Sequence, residues 1–162
     1  MAAGAVAIAL AMAATVGGAL LFEHVGGYIP CALCLEQRDP YYVGVPIMLA
    51  AAALAAIGRV GIAAVLIASG GLAMAYAAYL GVFHAGVEWG FWPGPADCGA
   101  TTQGVNAIGG DLLGSLDAVR PPSCDQAALR VLGLSFAGWQ AIAATALMIG
   151  SFWLVKRSRT VS

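Results

Sequence analysis

Four long apolar runs organise the chain. Residues 3–22 read AGAVAIALAMAATVGGALLF without a single charge. Residues 41–58, 60–83 and 134–155 repeat the pattern, each uncharged. A helix needs roughly 18–20 apolar residues to cross about 30 Å of hydrocarbon. A backbone in lipid must satisfy its own hydrogen bonds, so each run predicts a membrane-spanning helix. Small residues recur inside the runs: Gly17, Gly18, the Ala50–Ala53 block, Gly70 and Gly71. Lipid gives helices no hydrophobic reason to associate, so these positions are expected to let backbones approach closely. Pro46 predicts an early-turn position or a mild kink, which membrane helices tolerate. The expected fold is an all-α membrane protein: one domain over residues 1–162, built as a four-transmembrane-helix bundle. A cleaved signal peptide is the competing reading of the first run. No Lys or Arg precedes that run, and it exceeds a 7–15-residue signal core, so a retained span is expected.

The polar positions fall between the runs. Gly58-Arg59 is all that joins the second run to the third. The other connections, 23–40 and 84–133, are odd-numbered and therefore share one face of the membrane. The first holds Cys31 and Cys34, the second Cys98 and Cys124, so all four cysteines are expected on one side. Within 84–133, FWPGPADCG has loop composition. Residues 104–119 space Val105, Ile108, Leu112, Leu116 and Val119 at helical intervals, which predicts a short amphipathic helix on the membrane surface. RPPSC ends it. Tyr28, Tyr41, Tyr42, Trp89, Phe91, Trp92 and Trp139 are expected as an aromatic belt at the cysteine-side interface, with Phe152 and Trp153 at the other.

Composition agrees with these spans. Hydrophobic residues make up 61% and charged residues 9%, against about 25% charged in soluble domains. The net charge of −1 carries no basic excess, which argues against nucleic acid as a partner. Arg59, Lys156, Arg157 and Arg159 lie on the terminal side, and Arg38, Arg120 and Arg130 on the cysteine side. The bias favours cytoplasmic termini. The cysteines then lie outside, where disulfides persist.

Three chemistries compete for the cysteines. Four thiolates bind zinc tetrahedrally, but only Cys31 and Cys34 have C-x-x-C spacing, so no metal is expected. Two plain disulfides that staple a loop are the second reading. The third is disulfide exchange, which requires a stabilised, reachable thiolate. Arg38 follows Cys34 by four residues. If the second span starts near Leu35, that spacing puts both on one helical face, and the first turn offers Cys34 a positive dipole end. Arg38 reads equally as a snorkelling interfacial arginine. His24 reads as an exposed loop residue.

These residues carry a resemblance. CALCLEQR after the first span, GVFHAGVEWGFWPGPADC after the third and PPSCDQAALRVLGL before the fourth resemble the disulfide bond formation protein B (DsbB) family. Its members are membrane thiol:quinone oxidoreductases. The resemblance covers essentially the whole chain. It implies an inner-membrane enzyme with periplasmic cysteine loops, which reoxidises a DsbA-like dithiol oxidase and passes the electrons to ubiquinone or menaquinone. Carried over by position, it implies that Cys98 takes the mixed disulfide with the partner. Cys124 resembles its pairing residue, which also bridges to Cys31 during the relay. Cys34 matches the cysteine beside the quinone, and Arg38 the arginine of the quinone site. His84 is a further candidate for quinone contact or proton supply. Gln37 departs from members that carry an acid there, which puts an acid–base role at 37 in doubt. Glu88 and Trp89 fall within the matching stretch without an assigned role. Two readings stand beside this one. A vitamin K epoxide reductase-like protein shares the helix count and C-x-x-C logic, but its loop cysteines precede that pair, whereas Cys98 and Cys124 follow it. A non-catalytic, disulfide-stapled membrane scaffold is the other.

Overall fold

The computed structural model describes residues 1–95, 98 and 124–161, the last three as backbone. The amphipathic helix expected over 104–119 lies outside the described residues. The described residues form five helices and a small hairpin: α1 (Ala2–His24), α2 (Ala32–Glu36), α3 (Asp39–Ala56), α4 (Val60–Glu88), β1 (Arg130–Val131), β2 (Leu134–Ser135) and α5 (Phe136–Val161). Four helical stretches are long and apolar enough to cross a membrane: Ala2–His24, Ala32–Ala56, Val60–Glu88 and Phe136–Ser158. The four-helix bundle expected from the apolar runs is the fold observed.

Helix α4 packs most extensively on α5, then on α3; α3 packs on α1, and α1 closes the ring against α5. The distribution of side chains inverts that of a soluble protein. The centre is small and flexible, with Ala5, Ala9, Met12, Met48, Ala51, Met74, Ala77 and Ala144 almost fully buried. Large apolar residues such as Leu10, Val65, Leu72, Tyr79 and Ile149 point outward. A soluble protein would bury that surface; lipid removes the need.

Close approach through small residues holds for part of the expected set. A methyl group on Gly70 would lie 2.6 Å from Met48 Cε, and one on Gly71 would press on Ser151 and Phe152. Ala51 and Ala52 are buried. Gly81 brings α4 tightest onto α5: a Cβ there would sit 2.8 Å from the Ala141 backbone nitrogen. Gly17 and Gly18 meet nothing. Instead of packing helices, Gly18 lines the wall of a cavity.

Two local features set the site. The second span is not one helix from Leu35. Helix α2 stops at Gln37, and α3 restarts with Arg38 at its N-cap and a proline in its first turn. Pro40 has no N–H to donate to the carbonyl of Glu36, so the chain bends there. At the other end, α4 runs to Glu88, past the expected span end at Phe83. Gly90 adopts φ +73°, and the N–H groups of Gly90 and Phe91 cap the carbonyls of Val87 and Gly86. That left-handed stop favours glycine and fixes where His84 and Glu88 stand. Most belt aromatics are exposed as expected, but Tyr41 is buried, its hydroxyl donating to Gln140 Oε1 at 2.6 Å.

Candidate active site

All four cysteines gather at one end of the bundle, as the odd-numbered connections require. Cys31, Leu33, Val87 and Cys124 form a buried cluster with Cys34, Phe83 and Cys98 packed against it. Cys98 and Cys124 are joined as a disulfide, with Cα atoms 5.6 Å apart. Cys31 and Cys34 are free.

Helix α2 is what makes Cys31 and Cys34 a dithiol. Cys31 caps the helix, and its Sγ accepts the backbone N–H of Cys34 at 3.3 Å. One turn later the Cys34 side chain returns to the same point, 2.6 Å sulfur to sulfur. His84, brought in by α4, places Nε2 3.7 Å from the Cys31 sulfur. These groups lower the Cys31 pKa from the ordinary 9.0 to about 5. The Cys34 thiol hydrogen bond contributes most. Burial opposes it, and His84 and the Cys34 N–H add to it. A low-pKa thiol is the form that exchanges disulfides at neutral pH.

The expected face-sharing of Arg38 with Cys34 is replaced by another arrangement. The helix is interrupted at Gln37 and Arg38, and the Arg38 guanidinium pairs with Glu23 from the last turn of α1. Both side chains are largely buried. The low-pKa thiol is therefore Cys31, supported by Cys34 and His84.

Two residues that sequence reasoning left without a role complete the site. Gln37 is buried, with Nε2 2.7 Å from His84 Nδ1. An amide nitrogen only donates, so Nδ1 accepts and the imidazole proton sits on Nε2, facing Cys31. Glu88 stands one turn below His84, Oε1 3.8 Å from Nε2, its side chain 4% exposed. Its Oε2 is buried with no hydrogen-bond partner among the described residues. The signal for Glu88 was its i, i+4 spacing from His84, hidden because the helix was expected to end before it. His24 is exposed, as expected, but stands on the last turn of α1 and not in a loop, because α1 runs on to that residue.

A cavity of about 290 Å³ opens on this cluster. Val16, Ala19 and Phe22 of α1 and Phe136 and Trp139 of α5 give it apolar walls. Cys31, Cys34, Gln37, Arg38, His84 and Glu88 line its polar end. Apolar walls with a few convergent polar groups suit a small organic ligand with polar ends. Metal is a poorer fit: Cys31, His84 and Cys124 bring ligand atoms within 4.8 Å of one another, but the Cys124 sulfur is committed to Cys98.

Comparison with known proteins adds one finding. The family model described as Disulfide bond formation protein DsbB matches residues 2–154, nearly the full length. No curated protein and no solved structure matches the chain.

Proposed function

The chain belongs to the Disulfide bond formation protein DsbB family, and from that premise we propose that this disulfide-forming membrane oxidoreductase is a thiol:quinone oxidoreductase. It reoxidises a DsbA-like dithiol oxidase on the periplasmic side of the bacterial inner membrane. The observation that carries the reading is three features side by side: a loop disulfide, a dithiol with a low-pKa sulfur, and an apolar cavity beside that dithiol.

The chain's residues divide the work as follows. A thiolate of the reduced partner attacks Cys98, breaks the Cys98–Cys124 bond and releases Cys124. The partner's second thiol breaks that mixed disulfide and leaves oxidised. The Cys124 thiolate is directed at Cys31; the two sulfurs lie within 4.8 Å. Attack on the oxidised Cys31–Cys34 pair breaks that disulfide and releases Cys34; Cys98 then attacks Cys124, releases Cys31 and restores the loop disulfide, which leaves the pair of electrons on Cys31 and Cys34. The described arrangement, with Cys98–Cys124 oxidised and Cys31 and Cys34 free, matches the moment after that exchange.

The cavity fits a quinone. Val16, Phe22 and Phe136 suit an apolar ring and tail, Arg38 offers donors for its oxygens, and His84 lines the same end. A bound quinone, ubiquinone or menaquinone, supplies the two-electron acceptor that lets a strongly oxidising partner be regenerated. Arg38 counters developing negative charge, and Glu23 holds it in place. Cys34, which lines the cavity together with Cys31, is the sulfur that meets the quinone in this reading.

Cys34→Ser tests the reading. Quinone reduction by the reduced partner is expected to fall to background, while the Cys98–Cys124 disulfide still exchanges with the partner. A Cys34→Ser protein that still reduces quinone would contradict it.

A further inference from the structure

Among the described residues, Glu88 is a carboxylate with a buried side chain that the relay leaves unused. It ends α4, lines the polar end of the cavity, and has an oxygen with no donor among the described residues. A buried carboxylate oxygen without a donor is costly. The other titratable groups that line the cavity do not relieve it. Arg38 from α3 is paired with Glu23 from α1, and the Tyr41 hydroxyl is given to Gln140 of α5. Cys31 and Cys34 are bound to each other.

Among the described residues, the donor that faces Glu88 is the Nε2–H of His84. It lies 3.7 Å from the Cys31 sulfur and 3.8 Å from Glu88 Oε1. Gln37 occupies Nδ1 and so leaves no second ring N–H. One N–H serves one anion at a time. While Cys31 is a thiolate it receives that N–H, together with the S–H and N–H of Cys34. A second anion at Glu88 would then be buried beside it with nothing to hold it.

We propose that Glu88 is a redox-linked proton site, protonated while Cys31 and Cys34 are reduced and ionised when they form a disulfide. This rests on the reading of Cys31–Cys34 as the redox couple. The balance closes. Opening the Cys31–Cys34 disulfide takes two electrons and two protons from the loop dithiol; one proton goes to Cys34 and one to Glu88, leaving Cys31 as thiolate. Re-forming the disulfide sends both electrons and both protons to a quinone, giving the quinol. His84 Nε2–H then turns from the vanished thiolate to the Glu88 carboxylate.

The test needs no quinone. In the Cys98→Ala/Cys124→Ala protein, which keeps one redox couple, the reduced-minus-oxidised infrared spectrum at pH 7 is expected to gain a protonated-carboxyl C=O band. The band is absent in Glu88→Gln and retained, shifted, in Glu88→Asp. Proton uptake per dithiol formed, read with an indicator dye, is expected to halve in Glu88→Gln. A wild-type spectrum without the band, or unchanged uptake in Glu88→Gln, overturns the proposal. Adding quinone to the full chain separates the two readings. Glu88→Gln is expected to slow quinol formation by about 10²-fold, the usual scale of a lost acid–base group. A carboxyl band in a wild-type protein that reduces no quinone overturns the quinone reading alone.

Discussion

At the scale of single residues, Cys31 is the sulfur whose pKa is lowered. Sequence spacing pointed to Cys34 beside Arg38; the folded site favours Cys31, because Cys34 and His84 both donate to it. The sign follows from the direction. A pKa lowered to about 5 means the thiolate is present above that pH and lost below it. In protein with the loop disulfide intact, alkylation of Cys31 is therefore expected to show a midpoint near 5, read by mass spectrometry across pH; a midpoint near the free-thiol value would contradict the site as described. Gln37 acts one step away, by fixing the His84 tautomer. Gln37→Leu frees the ring to present a bare Nε2 to Cys31, and alkylation at pH 6 is expected to slow several-fold. A merely space-filling Gln37 would leave that pH profile unmoved. Neither Gln37 nor Glu88 announced this in the sequence. Their partners arrive from other helices, and a hydrogen bond between positions 37 and 84 leaves no trace in local pattern.

Helices were the most legible level. Length and lack of charge were enough to find four spans, because lipid imposes helix on any such run. Their ends were less legible. Hydropathy falls at His84 although α4 continues to Glu88, where Gly90 stops it. The second span looked continuous, yet Pro40 divides it. Small residues also needed the partner helix to be interpreted: Gly81 is a contact, Gly17 is not. Gly81→Val is expected to destabilise the bundle by about 1–3 kcal/mol, the cost of overpacking a tight contact, while Gly17→Ala stays within about 0.5 kcal/mol. Thermal unfolding in detergent compares the two directly. Equal effects would mean that α4 and α5 do not meet through Gly81.

For the whole molecule, an even span count put four distant cysteines on one face, and the fold brings them into one cluster. The buried Tyr41, by contrast, looked like a belt residue, since nothing in its neighbourhood names Gln140 as its partner. Sidedness is a direct expectation: a membrane-impermeant maleimide reaches reduced Cys98 from the periplasmic side, while Gly58→Cys, in the turn between α3 and α4, is labelled only from the cytoplasmic side. Labelling of both from one side would refute the topology. The proposed function joins these scales, with electrons entering at the Cys98–Cys124 disulfide and leaving at the cavity beside Cys31 and Cys34. Anaerobic stopped-flow absorbance of the purified protein, mixed with quinone and a reduced DsbA-like dithiol, measures that transfer directly. The expected result is one quinone consumed per partner disulfide formed; quinone that stays unreduced while the partner remains reduced would contradict the account.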